Sequence, residues 1–226
     1  MEKKNDAITP RDTDFAKWYT DVCRKADLME YYSVKGFIEY LPYSYAMWEE
    51  IQNYLNGRFK ENGAENVYLP MVIPASVFNK EKEHVEGFAP ECLVATIGGG
   101  NQLTDPLIIR PTSETIFSEL FKKRVNSYRD LPICYNQWCS VVRWEKTTRP
   151  FLRGAEFLWQ EGHCLFETEE EAQKNSIDIL HVYNDLGKDF LAIPFLMGEK
   201  TEHERFAGAK NTYTVEALMH DGKALQ

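Results

Sequence analysis

The chain of 226 residues has no long hydrophobic run, and no apolar stretch approaches the roughly 18 residues needed to span a bilayer. Its first residues, MEKKNDAITPRDTD, lack the apolar segment of a signal peptide. These absences predict a soluble protein of the cytoplasm with no membrane partner. Repeats, heptads and low-complexity tracts are also absent, and the length predicts one domain, residues 1–226, with its own core.

Cysteine is scarce, and basic residues are outnumbered by acidic ones. The five cysteines, at positions 23, 92, 134, 139 and 164, are odd in number and form no C-x-x-C pair, so we expect reduced core thiols and no metal site. The 35 acidic residues exceed the 26 basic ones, giving a net charge of −9. Such a balance excludes a general nucleic-acid binder, whose affinity depends on neutralising phosphates.

Three consecutive glycines at positions 98–100 lack the Gly-Lys-Ser/Thr continuation of a phosphate-binding loop. We therefore expect a mobile loop at this point and no phosphate site.

Hydrophobic spacing predicts an α+β fold, with a mainly antiparallel sheet flanked by helices. Thr168 followed by Glu171 is typical of a helix start, and Asp221-Gly222 of a hairpin turn. Only four residues follow that turn, so we expect the domain to be incomplete at its C-terminus. Helices are predicted at 14–28, 45–61, from about 76, at 113–126 and at 169–186; strands are predicted at 36–42, 66–74, 93–97, 106–112, 132–146, 156–166, 193–197 and 212–219.

The segment with the strongest functional signal is the hairpin predicted from the strands at 132–146 and 156–166, with a polar loop between them. Because side chains alternate along a strand, Arg143 and Glu145 are expected to share one face. The second arm presents two rings, a carboxylate and an imidazole on one face: Phe157, Trp159, Glu161 and His163. This arrangement is typical of a pocket that holds an anion, a flat ring and a polar ligand.

Taken singly, these residues have simpler interpretations, such as a surface ion pair for Arg143 and Glu145 or packing roles for the rings. The compound spacing is more specific: Arg143-x-Glu145, a loop bearing Arg149 and Arg153, then Arg153-x-x-x-Phe157. This spacing resembles the second signature motif of class II aminoacyl-tRNA synthetases, which has the form Arg-x-Glu, loop, Arg/His-x-x-x-Phe.

The resemblance narrows to the prolyl-tRNA synthetase family through VVRWEKTTRPFLRGAEFLWQEGH (141–163), RPTSET (110–115), GEKTEHERFAGA (198–209) and HDGKALQ (220–226). Gly154-Ala155 departs from it, since a polar pair is more usual there. The segment after His163 has no room for the large editing insertion of many bacterial members, which implies the archaeal or eukaryotic type or a bacterial enzyme of that lineage. The alternatives are a seryl-type synthetase and a non-catalytic paralogue.

The resemblance implies an ATP site, in which Arg143 is the catalytic residue and binds the α-phosphate and the substrate carboxylate. Glu145 would accept a hydrogen bond from the adenine amino group, Arg153 would reach the γ-phosphate, and Phe157 would stack on adenine. Gln226 would contact ATP from the last strand. Mg²⁺ is expected on the triphosphate.

The resemblance also implies a proline site. Thr112 and Glu114 would hold the cationic ring nitrogen of L-proline. The pocket would be completed by Arg143, Trp159, Glu161 and His163.

The implied activity is that of a proline–tRNA ligase: ATP-dependent formation of prolyl-adenylate, then transfer to tRNA(Pro). The third motif and the anticodon-binding domain are expected to follow Gln226, so we expect the piece itself to be inactive. The helix at 45–61 and the strand at 66–70 resemble the first motif, which forms a homodimer interface. The alternative is that the apolar face of that helix is ordinary core.

Overall fold

The computed structural model describes residues 7–82 and 92–226, so the predicted domain at 1–226 lies partly outside the described residues. No helix in these two ranges is long and apolar enough to cross a membrane. The helices are α1 (Phe15–Lys25), α2 (Pro42–Glu61), α3 (Ala75–Lys82), α4 (Glu114–Arg124) and α5 (Glu169–Asp185), with a 3-10 turn at Tyr128–Asp130 and a π-helical turn at Leu186–Phe190.

The strands form small sheets, in which antiparallel pairs predominate. The one parallel pair among the described strands joins β3 to β7. The predicted α+β class is confirmed. The strands are β1 (Met29–Tyr31), β2 (Ile38–Tyr40), β3 (Glu65–Asn66), β4 (Val72–Pro74), β5 (Val94–Gly98), β6 (Asn101–Ile109), β7 (Ile133–Val142), β8 (Glu156–Leu165), β9 (Leu196–Glu199), β10 (Tyr213–Leu218) and β11 (Ala224–Leu225).

Local sequence signals explain where the helices begin. The Asp14 carboxylate accepts a hydrogen bond from the Lys17 backbone N–H and caps α1. Pro42 occupies the first turn of α2, which therefore begins three residues before the predicted Tyr45, because a proline there loses no helical hydrogen bond. The predicted capping box of Thr168 with Glu171 is present in α5.

The core lies where α2 packs against α5. Leu55 and Phe59 of α2 contact Val182 and Leu186, and all four side chains are buried. The apolar stripe of α2 is thus ordinary core, as the alternative interpretation held. Other apolar side chains of α2 and its neighbours do not take part in this core and remain exposed.

The triple-glycine segment is not the mobile loop that the sequence suggested. Gly98 pairs with Asn101, and β5 and β6 form an antiparallel hairpin around Gly99 and Gly100. Both glycines have positive φ, 57° and 80°, as a type I′ turn requires. The expectation of a mobile loop was therefore wrong: the glycines serve the turn geometry.

The predicted long hairpin is confirmed as β7 and β8, which pair without a register shift from Ile133↔Leu165 to Val142↔Glu156. The first arm is shorter than predicted, since it ends at Val142 instead of continuing to residue 146. The Arg143 N–H still donates to Ala155 O at 2.8 Å, but the Ala155 N–H donates to Gly36 O. This bond to Gly36 directs the loop away from regular pairing.

Candidate active site

The odd-numbered side chains of the hairpin form one face. Phe157, Trp159 and Glu161 lie opposite Val141, Cys139 and Gln137 in the β7–β8 register. The guanidinium carbon of Arg143 lies 5.1 Å from the Trp159 ring centroid and 5.5 Å from that of Phe157. Both distances allow cation–π attraction. The predicted common face is confirmed, although Arg143 lies just beyond the end of its strand.

Arg143 interacts with several groups at this face. Its Nε donates to Pro111 O at 3.0 Å. Burial lowers the pKa of the Arg143 guanidinium from its ordinary value, and the negative charges of Glu114, Glu145 and Glu161 oppose that effect. Three of the predicted site carboxylates therefore act on one guanidinium, which stays charged because an arginine pKa is so high.

The segment at residues 110–114 is fastened to the end of β7. The Val142 N–H donates to Arg110 O at 3.0 Å, and the Arg110 guanidinium donates to Ser140 O and Leu69 O at 3.0 and 2.8 Å. Arg110 is only 1% exposed. Its planar fork of donors thus satisfies backbone carbonyls inside the protein and sets the position of the residues that follow.

Those following residues include the predicted contacts to the proline nitrogen. The Thr112 hydroxyl donates to a Glu114 carboxylate oxygen. Thr112 is buried, whereas Glu114 is exposed at the start of α4. A carboxylate held in this way keeps lone pairs for a cationic ligand.

Glu161 is a buried carboxylate with several hydrogen-bond donors. Gln137 Nε2 donates to Oε1 at 2.9 Å, and His163 Nε2 lies 3.2 Å from Oε2. Burial, the largest single influence, raises the Glu161 pKa, but hydrogen bonds from His163, Ser113 and Gln137 together outweigh it and lower the pKa to about 2. Glu161 is therefore a fixed negative charge on this face.

His163 is held between this carboxylate and a ring. It stacks on Phe117 with centroids 4.0 Å apart and planes inclined by 25°. Phe117 is 1% exposed and comes from α4. The imidazole thus connects the hairpin to the helix that begins at Glu114.

The polar segment at residues 146–155, which is part of the loop between the hairpin arms, forms a turn of its own. Arg149 and Arg153 exchange two backbone hydrogen bonds of 2.8 and 2.9 Å. The Arg153 side chain reaches back to Glu145, with Nε to Oε2 at 3.4 Å. The Arg153 side chain is 65% exposed and that of Glu145 is 30% exposed, so this ion pair is weak and Arg153 can leave it for a ligand at small cost.

Tyr19 of α1 holds this loop from outside, and the sequence analysis missed it. Its hydroxyl donates to Pro150 O at 2.9 Å. The contact joins residues far apart in the chain, so no local pattern indicates it.

The Gly154-Ala155 departure has a steric explanation. Ala155 is 2% exposed, and an added Cβ on Gly36 would lie 2.8 Å from the Ala155 Cβ. An added Cβ on Gly154 would lie 2.6 Å from Glu156 O. Larger residues do not fit where the loop crosses the β1–β2 connection.

A cavity of about 560 Å³ opens between α2 and the loop. Arg143, Glu145, Arg153 and Phe157 line it. These are four of the five residues predicted to bind ATP. Of the residues predicted to bind proline, Arg143 alone lines this cavity. Arg143 thus stands where the two predicted subsites meet.

Gln226, the fifth residue predicted to bind ATP, lies elsewhere in the described structure. It follows β11, and its side-chain oxygen accepts a hydrogen bond from Lys200 Nζ at 2.8 Å. Its predicted contact with ATP stays a prediction.

Two further features of the site were missed from sequence. Gln137 is fully buried and bonds both Glu161 and, at 3.3 Å, the Ser113 hydroxyl. It directly faces Glu161 in the strand register, so the register would have identified it. The Trp159 indole N–H, within the described residues, is a buried donor with no protein acceptor, and such a donor favours a ligand acceptor.

Comparison with known families agrees with the class II synthetase resemblance of the sequence. Residues 98–226, more than half of the chain, match the model of the tRNA synthetase class II core domain (G, H, P, S and T). The chain belongs to this family. This class II synthetase core domain contains the hairpin, the 110–114 segment and the loop described above.

Curated relatives that are similar to this chain are named as proline–tRNA ligases. That of Clostridium novyi is 60% identical over 229 residues, covering 100% of this chain and 48% of the relative. That of Aster yellows witches'-broom phytoplasma is 57% identical and covers 99% of this chain and 47% of the relative. The chain thus spans about half the length of the curated relatives it matches.

A solved structure is similar as well. Prolyl-tRNA synthetase from Cryptosporidium parvum, determined with halofuginone and AMPPNP, is 42% identical and superposes with a TM-score of 0.89. The match covers 94% of this chain and 44% of that one. The class II synthetase fold of this chain is therefore shown by structure as well as by sequence.

Proposed function

We propose that the whole protein is a proline–tRNA ligase and that this chain carries its ATP- and proline-binding face. The observation that supports this most directly is the position of Arg143 over Phe157 and Trp159, at 5.5 and 5.1 Å, with Glu161 on the same face. The names of the relatives, and the AMPPNP in the Cryptosporidium structure, support the same activity.

In the proposed reaction, the proline carboxylate attacks the α-phosphorus of ATP, an oxygen–phosphorus bond forms, and pyrophosphate leaves. The nucleophile belongs to the substrate, so the protein contributes positioning and charge. The Arg143 guanidinium can bridge the carboxylate and a phosphate oxygen, because its planar fork presents paired donors. The Arg143 guanidinium would stabilise most strongly the negative charge that develops on the phosphate oxygens in the transition state.

The nucleotide contacts are proposed as follows. The Phe157 ring offers a face for adenine, and the Glu145 carboxylate an acceptor for its amino group. Arg153, 65% exposed in its side chain, is free to swing from Glu145 to a phosphate. Gln226 is proposed to contact ATP as well, on the resemblance to the prolyl-tRNA synthetase family.

The proline contacts use the other end of the face. Glu114 and Thr112 would hold the cationic ring nitrogen, since a negative group favours a nearby cation. Trp159 would donate its indole N–H, and Glu161 and His163 would keep the wall of the pocket in place. Selectivity against a smaller amino acid would be modest, since a missing methylene is worth only ~1–3 kcal/mol.

Mg²⁺ is proposed to bind through the triphosphate. Among the described residues, no group of three or more His, Cys, Asp or Glu side chains could hold a metal ion alone. The residues fit an ion that keeps waters and phosphate oxygens, as Mg²⁺ does in ATP sites. Its chemistry would be to neutralise phosphate charge.

We also propose a homodimer, tRNA(Pro) as the second substrate, and the cytoplasm as the site of action. The exposed rings and thioethers near α2 and β4 support the dimer: Tyr43, Tyr45, Met47, Tyr68 and Met71. Large apolar side chains that stay exposed in one region of a protein are typical of interaction surfaces. Sedimentation of the whole protein tests the dimer, and a monomer at all concentrations would contradict it.

The function is tested by calorimetric titration with a non-hydrolysable prolyl-adenylate analogue, against the seryl counterpart. We expect the prolyl compound to bind more tightly by at least about tenfold, which corresponds to about 1.4 kcal/mol. Proline-dependent exchange of pyrophosphate into ATP by the whole protein is the second measurement. Equal binding of both compounds, with exchange supported by serine, would refute the proposal.

A further inference from the structure

A second cavity, of about 360 Å³, lies on the face of the hairpin opposite to Arg143. Cys134, Asn136, Gln160 and Cys164, all even-numbered, contribute to its lining. The proposed active-site face carries the odd-numbered side chains. Residues of α5, of α2 and of the segment after α2 complete the wall, and this cavity shares no lining residue with the cavity at Arg143.

Cys134 and Cys164 are direct cross-strand partners in this cavity. Even-numbered residues of β7 turn their backbone groups away from β8: the Val142 N–H donates to Arg110 O, and Asn136 O accepts from the Val67 N–H. The pair is therefore of the non-hydrogen-bonded kind, in which Cα atoms lie only ~4.5 Å apart and side chains are closest. That separation lies at the short end of the ~4.4–6.8 Å range of disulfides.

The two thiols also differ in acidity. A hydrogen bond from the Cys164 thiol lowers the pKa of Cys134 and raises that of Cys164. Both cysteines are free and partly exposed. A thiolate is the reactive form, so Cys134 is suited to attack and Cys164 to resolve the product.

We propose that Cys134 and Cys164 form a dithiol site that reacts with hydroperoxides and closes to a reversible cross-strand disulfide. Cys134 sulfur attacks the peroxide oxygen, the O–O bond breaks, and a sulfenic acid and one water result. Cys164 sulfur then attacks the Cys134 sulfur, the S–S bond forms, and a second water leaves. Two thiols are oxidised as one hydrogen peroxide is reduced to two waters.

The experiment exposes the chain to hydrogen peroxide and maps its peptides without reduction. We expect one cross-linked peptide pair joining positions 134 and 164, with the mass of two hydrogens lost, and its reversal by dithiothreitol. Prior treatment with phenylarsine oxide should block the reaction, because the arsenic forms two bonds to the paired sulfurs and releases water. This reagent distinguishes a close dithiol from two separate thiols.

The variants Cys134→Ser and Cys164→Ser should each abolish the cross-link, and Cys139→Ser is the matched control. Cys139 lies on the same two strands but faces Glu161, and burial raises its pKa to about 12. In the unmodified chain, Cys134 should react about tenfold or more faster than Cys139, since the rate follows the thiolate fraction. Overoxidation of each cysteine without a 134–164 link, or a link to another cysteine, would overturn the proposal.

Discussion

Arg143 and Trp159 lie on the same side of the β7–β8 hairpin, with the guanidinium carbon 5.1 Å from the ring centroid. Ten paired positions without a register shift fix this relationship, because side chains two residues apart on a strand share a face.

Arg143→Ala should lower the rate of proline-dependent pyrophosphate exchange in the whole protein about 100- to 1,000-fold, as the loss of one oriented charge stabiliser does. Arg143→Lys should recover little, because an ammonium group cannot donate a paired fork. Arg129→Ala, at an exposed site, is the control. An Arg143→Ala protein with near-normal exchange would remove Arg143 from its proposed role.

Glu161→Gln should alter the pH dependence of stability. The folded pKa of Glu161, about 2, lies below its ordinary 4.5, so its ionised form stabilises the fold above about pH 4.5. That contribution is lost as the pH falls from 4.5 through 2, because the Glu161 carboxylate of the unfolded chain takes up its proton at a higher pH than that of the folded chain. Thermal melts over this range should show the original chain losing its advantage over Glu161→Gln.

Glu119→Gln on the exposed surface of α4 is the control for that series, and it should parallel the unmodified chain at every pH. A constant difference in Tm between Glu161→Gln and the unmodified chain from pH 5 to pH 2 would contradict the assignment.

Tyr19→Phe should loosen the loop at 146–155 by removing its hydrogen bond to Pro150 O. A single neutral hydrogen bond contributes about 0.5–1.5 kcal/mol, so the fall in Tm should be small. The KM for ATP should rise several-fold while kcat changes less, since the loop carries Arg153. Tyr32→Phe, at an exposed tyrosine, should change neither constant. A lowered kcat with unchanged KM would count against a positioning role.

Gly36→Ala should destabilise the protein more than Gly63→Ala. Both glycines have positive φ, 87° and 83°, so both substitutions carry the strain of about 1–2 kcal/mol for a left-handed residue. An added Cβ at Gly36 also meets Ala155 Cβ at 2.8 Å, whereas nothing lies within 4 Å at Gly63.

Chemical denaturation measures the difference between these two variants. Ala155→Gly should restore part of the loss in Gly36→Ala and none of it in Gly63→Ala. Equal losses at the two sites would show that backbone strain alone matters.

Sequence patterns were most informative for structures that depend on interactions between residues close together in the chain. The capping box at Thr168 and the turn at Asp221-Gly222 depend on neighbours within a few residues, and both appear in the structure. The glycine turn at residues 99–100 was missed because only the paired strands on either side reveal why positive φ is needed there. The end of β7 at Val142 was misplaced because the bond from Ala155 to Gly36 competes with pairing.

By itself, the sequence determined the alternation that gathers Phe157, Trp159 and Glu161 on one face, since a period of two is a property of any strand. Tertiary structure alone decided which groups meet that face. Gln137 faces Glu161 through register, and Tyr19 meets Pro150 across 131 positions of the chain. Such contacts arise only when distant segments pack, and they set the charge of Glu161 and the position of the loop.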